Sequence, residues 1–292
     1  MQRNAILKGL AGLIVSAGLL LASGASAGPV IIDGTDANQH GSFNGINNVA
    51  GWLYMEKVLD NLGSNLGGGV TSKNLVVLGV NGGVASSARN SIQSAFAQSS
   101  LAGSGWSIVF VDGAANITNH LNTMNGSNTG ILYIPTVNNA GGDMDNTELT
   151  AVNSKGAQIA ALVAAGAGLF AQGESPGAGG PTAYGWLTSL IPTIAVTDVG
   201  GGGVGADIAL TPAGAAAFPG LTNADLAGAD PWHNNFTGTF GSLQVLGVSS
   251  GRNIIIGGGT STVITAPEPG ALALFGAGLA GLGFLRRRRR AA

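Results

Sequence analysis

The chain has 292 residues, a formal net charge of −2 and 9% charged residues, far below the roughly 25% of an average soluble domain. It has no cysteine, which excludes a disulfide framework, a thiolate metal site and a cysteine nucleophile together. Between Gly28 and Ala266 thirteen acidic residues outnumber five basic ones, so the clustered Lys and Arg that nucleic-acid phosphates require are missing.

This length supplies ample chain for a core. The 51 Gly and 23 Asn leave the surface to be covered by Asn, Ser, Thr, Gln and backbone, a composition that fits an exported protein. The N-terminus, MQRNAILKGLAGLIVSAGLLLASGASAGPV, agrees. Arg3 and Lys8 form a positive start, Leu10 to Leu21 an apolar stretch, and Ala25-Ser26-Ala27 a small-x-small cleavage site. Residues 1–27 therefore read as a signal peptide, cut after Ala27, that engages the secretion machinery and signal peptidase.

Residues 28–260 read as one exported α/β domain. PVIIDGTD is a strand. INNVAGWLYMEKVLDNLGSNL is a helix, with Val49, Trp52, Met55, Leu59 and Leu62 near one face. NLVVLGV is a strand, Ser86 to Leu101 a helix, WSIVFVDG a strand, NITNHLNTM a short helix and GILYIPT a strand. Thr147 to Ala165 reads as one helix and GLFAQG as the strand after it. Beyond Pro192 the regularity weakens, and TIAVTDV, SLQVLGV and NIIIGGG are further strands. Apolar runs this continuous predict burial on both faces, hence a mostly parallel sheet with helices on each side.

The segment VAAGAGLFAQGES has the wording of a helix, a Gly turn, a strand and a nucleophile elbow. Over roughly 150 residues the chain resembles the class I glutamine amidotransferase-like fold, which is a flavodoxin-like sheet. That family's catalytic Cys is absent, with Gly173 or Glu174 near its place, so the resemblance does not imply amidotransferase activity.

Gly173-Glu174-Ser175-Pro176-Gly177 also fits G-x-S-x-G, the elbow of α/β-hydrolases, and it follows a strand as that motif should. Ser175 is then a candidate nucleophile and His233 its base, with Asp198, Asp207, Asp225 or Asp230 as the acid. Pro176 opposes this, because the oxyanion hole uses the N–H of the residue after the serine and proline has none. Losing such a donor costs about 10²–10³ in rate. Asp33, Asp36, His40, Asn138, Asn139, Glu174 and His233 all follow strands or lie in loops, where open α/β sheets place ligands. Asp33, His40 and Glu174 are the core of that candidate pocket, suited to a sugar or a cation. GGDMDNTE suggests calcium through Asp143, Asp145 and Glu148, but it lacks the EF-hand glycine and final glutamate. A helix cap, with Asp145 as N-cap and Glu148 three residues on, explains it better. No residue pattern calls for a bound metal or a cofactor.

The chain ends APEPGALALFGAGLAGLGFLRRRRRAA. Residues 261–269 form a linker containing Pro267-Glu268-Pro269, and Gly270 to Leu285 is uncharged. As a helix of about 1.5 Å per residue that stretch spans ~24 Å, slightly short of a ~30 Å hydrocarbon core, and snorkelling covers the difference. Arg286, Arg287, Arg288, Arg289 and Arg290 then stop the chain on the cytoplasmic side, in a tail of residues 286–292. The prolines keep the motif extended at the membrane face. These three parts in this order resemble the PEP-CTERM sorting signal of bacterial exported proteins, with Ala266 in place of the usual Val. The resemblance implies processing by exosortase, delivery to the cell surface or extracellular matrix, and a host whose exopolysaccharide is a candidate partner. The expected protein is thus membrane-tethered and surface-sorted, with an ectodomain that binds or assembles. An extracytoplasmic serine hydrolase and a carbohydrate- or cation-binding module are the alternatives.

Overall fold

The computed structural model describes residues 26–174, 180–199, 207–227 and 232–258. The expectations for residues 1–25, for Ser175 and Pro176, for Asp230 and for everything from residue 259 onward, the sorting motif and apolar tail included, lie outside the described residues. Among the described residues no helix is long and apolar enough to cross a membrane.

Period-two alternation sets the layering. In β1 (Val30–Asp33), Val30 and Ile32 enter one apolar core and Ile31 the other. A short hairpin follows, β2 (Gly41–Phe43) and β3 (Asn48–Ala50), and leads into α1 (Gly51–Ser64). Tyr54, Met55, Val58, Leu59 and Leu62 of α1 join the core of Ile31. Next come β4 (Asn74–Leu78) and α2 (Ser87–Gln98), where the Ser86 side chain accepts from the Arg89 N–H at the helix start. β5 (Ser107–Val111), α3 (Ala114–Thr123) and β6 (Ile131–Ile134) complete that half. α4 (Asn146–Asn153), α5 (Gly156–Ala164) and β7 (Gly168–Gln172) follow. Helices α1 and α2 pack on one face of the sheet and α3, α4 and α5 on the other.

The single helix expected over 147–165 is two. Asn153 is the last residue of α4, its side chain donating to the Thr182 carbonyl and accepting from the Trp186 N–H. Gly156 then approaches so closely that a Cβ there would lie 2.6 Å from the Trp186 carbonyl oxygen. The loop over α4 and α5 therefore fixes the break.

The remaining elements are β8 (Ile194–Asp198), β9 (Ala209–Leu210), α6 (Pro212–Ala217), α7 (Asn223–Ala227), β10 (Asn234–Gly238), β11 (Gln244–Ser249) and β12 (Arg252–Gly258). The sheet order is β5-β4-β6-β7-β1-β12-β10-β8, with β11 on β12 and β9 on β11. Strands β5 through β1 in this order pair in parallel, and every pairing beyond β1 is antiparallel. The sheet is mixed, which corrects the expectation of a mostly parallel one. Apolar runs report burial and not direction. Between β11 and β12 the direction is set by Ser250-Gly251, with φ of 49° and 77°, the two positive values that a tight hairpin requires.

One edge of β12 is divided. Ile255 to Gly258 pair with β1, whereas Asn253 pairs with Phe236 of β10. At Gly34 the chain leaves the sheet and Asn234 moves in beside it, its N–H donating to the Gly34 carbonyl at 3.1 Å. Only glycine fits at position 34, since a Cβ would stand 1.8 Å from the Asn234 carbonyl oxygen.

Candidate functional site

Parallel pairing in register sets Asp33 of β1 beside Gln172 of β7, so both strands deliver their next residues to one edge of the sheet. The fork at Gly34 brings His233, just before β10, to the same place. Thr35 folds back on Asp33, with its N–H and hydroxyl both donating to Asp33 Oδ1 at 2.8 and 2.7 Å. The turn that follows closes through the Gln39 N–H on the Asp36 carbonyl. Asp36 and His40 are thereby placed one helical turn apart.

Three side chains from three segments meet there. Asp36 Oδ2 lies 2.9 Å from His40 Nε2 and 3.3 Å from His233 Nε2. Asp36, Glu174 and His233 each point one potential ligand atom into a region where all three atoms lie within 4.8 Å of one another. Glu174 is half-buried and accepts from Gln39 Nε2 at 2.7 Å. Gln39 also reaches Thr136 Oγ1 at 3.1 Å, and Thr136 donates to Asn38 Oδ1 at 2.9 Å. Burial raises the Glu174 carboxyl above its usual range, with His233 acting in the opposite direction and Asp36 in the same one.

Beneath this cluster lies a second polar layer. Asp33 is fully buried, accepting from Thr35, from the Tyr54 hydroxyl at 2.9 Å and from Gln172 Nε2 at 3.5 Å. Tyr133 donates to Gln172 Oε1 at 2.6 Å, and the Tyr184 hydroxyl donates to the Asp33 carbonyl. Burial pushes the Asp33 carboxyl up to about 7, against the lowering effect of those donors.

The structure therefore brings His40, Glu174, His233 and Asp36 to one cluster, with Asp33 directly below. Asn138 and Asn139 are elsewhere, bonded to Asp143 and Asn146 in the loop before α4. Of the acids considered for His233, Asp207 is held by Ser249 and Ser250, and Asp225 caps α7 through Thr222. The acid seen on His233 is Asp36, a role that no local sequence signal marks. The acidic loop is a cap: Asp145 accepts from the Thr147 and Glu148 N–H groups, and Glu148 returns the bond to Asp145. Asp143 is likewise occupied, by the Ala88 N–H and Asn138.

Comparison with known proteins finds one family model, the PEP-CTERM protein-sorting motif, matching residues 265–290. No curated protein matches. Among solved structures, the crystal structure of a peptidase from an acI-B1 Actinobacterium matches with 11% identity and a TM-score of 0.26. That match covers 52% of this chain and 55% of the peptidase chain.

Proposed function

We propose that this chain, which carries a PEP-CTERM sorting motif, is cut by exosortase near Pro267 and displayed at the cell surface or in the extracellular matrix by a body that binds and does not catalyse. The motif itself indicates an exosortase-processed extracellular or surface protein. Its place at residues 265–290, a few residues beyond β12, is the observation that carries the reading. Residues 1–27 as signal peptide and 270–285 as membrane helix complete the topology, with Arg286 to Arg290 inside and residues 28–260 outside. The strand order supports a flavodoxin-like ancestry for the body. Counted from β4, the strands β5-β4-β6-β7 run 2-1-3-4, and β1 occupies the fifth place from the opposite end of the chain. Extracellular polysaccharide remains the partner that the sorting class suggests.

The test is mass spectrometry of the mature protein from its host. A C-terminus near Pro267 with the arginines gone supports the proposal, and an intact tail throughout the mature pool overturns it.

A second reading, an extracytoplasmic serine hydrolase, is favoured by one observation. His233 carries a carboxylate, Asp36, and meets Glu174, the neighbour in sequence of Ser175. Pro176 still removes the expected oxyanion donor. Fluorophosphonate labelling of the wild type, lost in Ser175→Ala, would favour the hydrolase over the binding body.

A further inference from the structure

We infer that Asp36, Glu174 and His233 bind one divalent cation of the zinc class, a property separate from the sorting of the chain. The first ground is convergence. The loop after β1, the end of β7 and the residue before β10 are far apart in sequence, and their ligand atoms all fall within 4.8 Å of one another. One pair already has the spacing of two ligands on the ion. Ligands at about 2.0–2.1 Å from a tetrahedral Zn²⁺ stand about 3.3 Å apart, and His233 Nε2 is 3.3 Å from Asp36 Oδ2.

The second ground is a set of acceptors without donors. Asp36 is 3% exposed, and its Oδ1 is buried with no hydrogen-bond partner. Asn234 is 1% exposed, and its Oδ1 is in the same state. That oxygen lies beside Gly173, 2.7 Å from where a Cβ would stand, next to Glu174 in the chain. A buried oxygen that accepts nothing is costly, and a cation satisfies several such atoms at once. The imidazoles of His40 and His233 are the groups paired with Asp36, whereas Lys57 is engaged by Glu56 and Asp60.

The donor chemistry selects the ion. Calcium and magnesium prefer oxygen alone, and thiolate sites need cysteine, which the chain lacks. An imidazole with two carboxylates suits Zn²⁺ and leaves a position open for water or an external ligand. His40 on Asp36 and Gln39 on Glu174 are positioning residues that hold the carboxylates in place. The capping loop makes the contrast, because Asp143, Asp145 and Glu148 spend oxygens on backbone N–H groups.

The experiment is a zinc titration of the full chain, purified in detergent and stripped with a chelator, followed by calorimetry. One equivalent is expected. Asp36→Asn, Glu174→Gln and His233→Ala should each weaken binding more than about 100-fold, because loss of an outer partner alone costs about 10–100-fold. His120→Ala should leave it unchanged. Circular dichroism checks the fold of each variant. Should a variant fail to fold, X-ray absorption of zinc on the wild type decides, and one imidazole with oxygen ligands is expected. Absence of saturable binding, wild-type affinity in all three folded variants, or a zinc shell without imidazole would overturn the proposal. Fluorophosphonate labelling of Ser175 in a chain that takes no zinc would also overturn it, in favour of the hydrolase.

Discussion

Replacing Asp33 by Asn should remove a pH dependence of folding that the wild type carries. The carboxyl is fully buried beneath the cluster, and burial raises it from 3.8 to about 7. Between those values the folded protein holds a proton that the unfolded chain releases. Stability therefore falls as pH rises from about 4 to 7 and levels off above, the reverse of an ordinary salt-bridged aspartate. Each pH unit between 3.8 and about 7 is worth about 1.4 kcal/mol, so the full effect is ~4 kcal/mol. Asn cannot ionise, yet its carbonyl can still accept from the Thr35 N–H that now meets Asp33 Oδ1 at 2.8 Å. The assay is urea denaturation of wild type and Asp33→Asn from pH 4 to 8.5, with chelator present throughout. The quantity of interest is the difference between the two curves, in which Glu148, Glu174 and His120 cancel. It should move against the wild type by several kcal/mol across that range. A flat difference, or one that moves the other way, would refute the argument from burial.

Two further substitutions test the framework of the site. Gly34→Ala drives a Cβ to 1.8 Å from a backbone oxygen at the fork between β1 and β10. Overpacking of this kind costs about 1–3 kcal/mol, and a main-chain atom has little room to yield. A urea midpoint within error of the wild type would contradict that geometry. Asp145→Ala removes the N-cap of α4, and a loss of about 1 kcal/mol is expected by the same measurement. Calcium should bind neither protein at that loop, and saturable calcium binding lost in Asp145→Ala would restore the ion-binding interpretation.

Much of the parallel half was legible in the sequence because local pattern and tertiary role coincide there. VIID, NLVVL, ILYI and GLFAQ are apolar enough to be buried on both faces, and they are. The antiparallel half was harder for particular reasons. β10 reads Asn-Asn-Phe-Thr-Gly, and of its three buried residues only Phe236 is apolar, Asn234 and Asn235 being buried by strand pairing without apolar character. β3 lies inside the segment that reads as a helix from Ile46, because Val49 falls on the apolar stripe of α1, and β2 carries no strand signal of its own. Ser250-Gly251 did carry the direction of β11 and β12, although only its positive φ values make that plain. Within the site, Asp33, His40, Glu174 and His233 stood out by following strands. The role of Asp36 did not, because its meeting with His233 depends on how the edge of β12 is divided. Gln39 and Asn234 belong to the same class, being ordinary loop residues until the fold joins them.

The pairing of Val30 with Gly258 has a consequence for display. Both extremities of the folded body emerge side by side, at the foot of strands whose far tips hold Asp36, Glu174 and His233. Only eight residues separate Gly258 from Pro267, and the nine steps between their Cα atoms reach at most ~32 Å at about 3.6 Å per residue. If residues 270–285 anchor the chain as proposed, the body is held within that reach of the membrane by the end of the sheet opposite the cluster. A cut near Pro267, as proposed, would fall outside the folded body and leave the cluster as it is, so the tethered and the released forms would present the same surface.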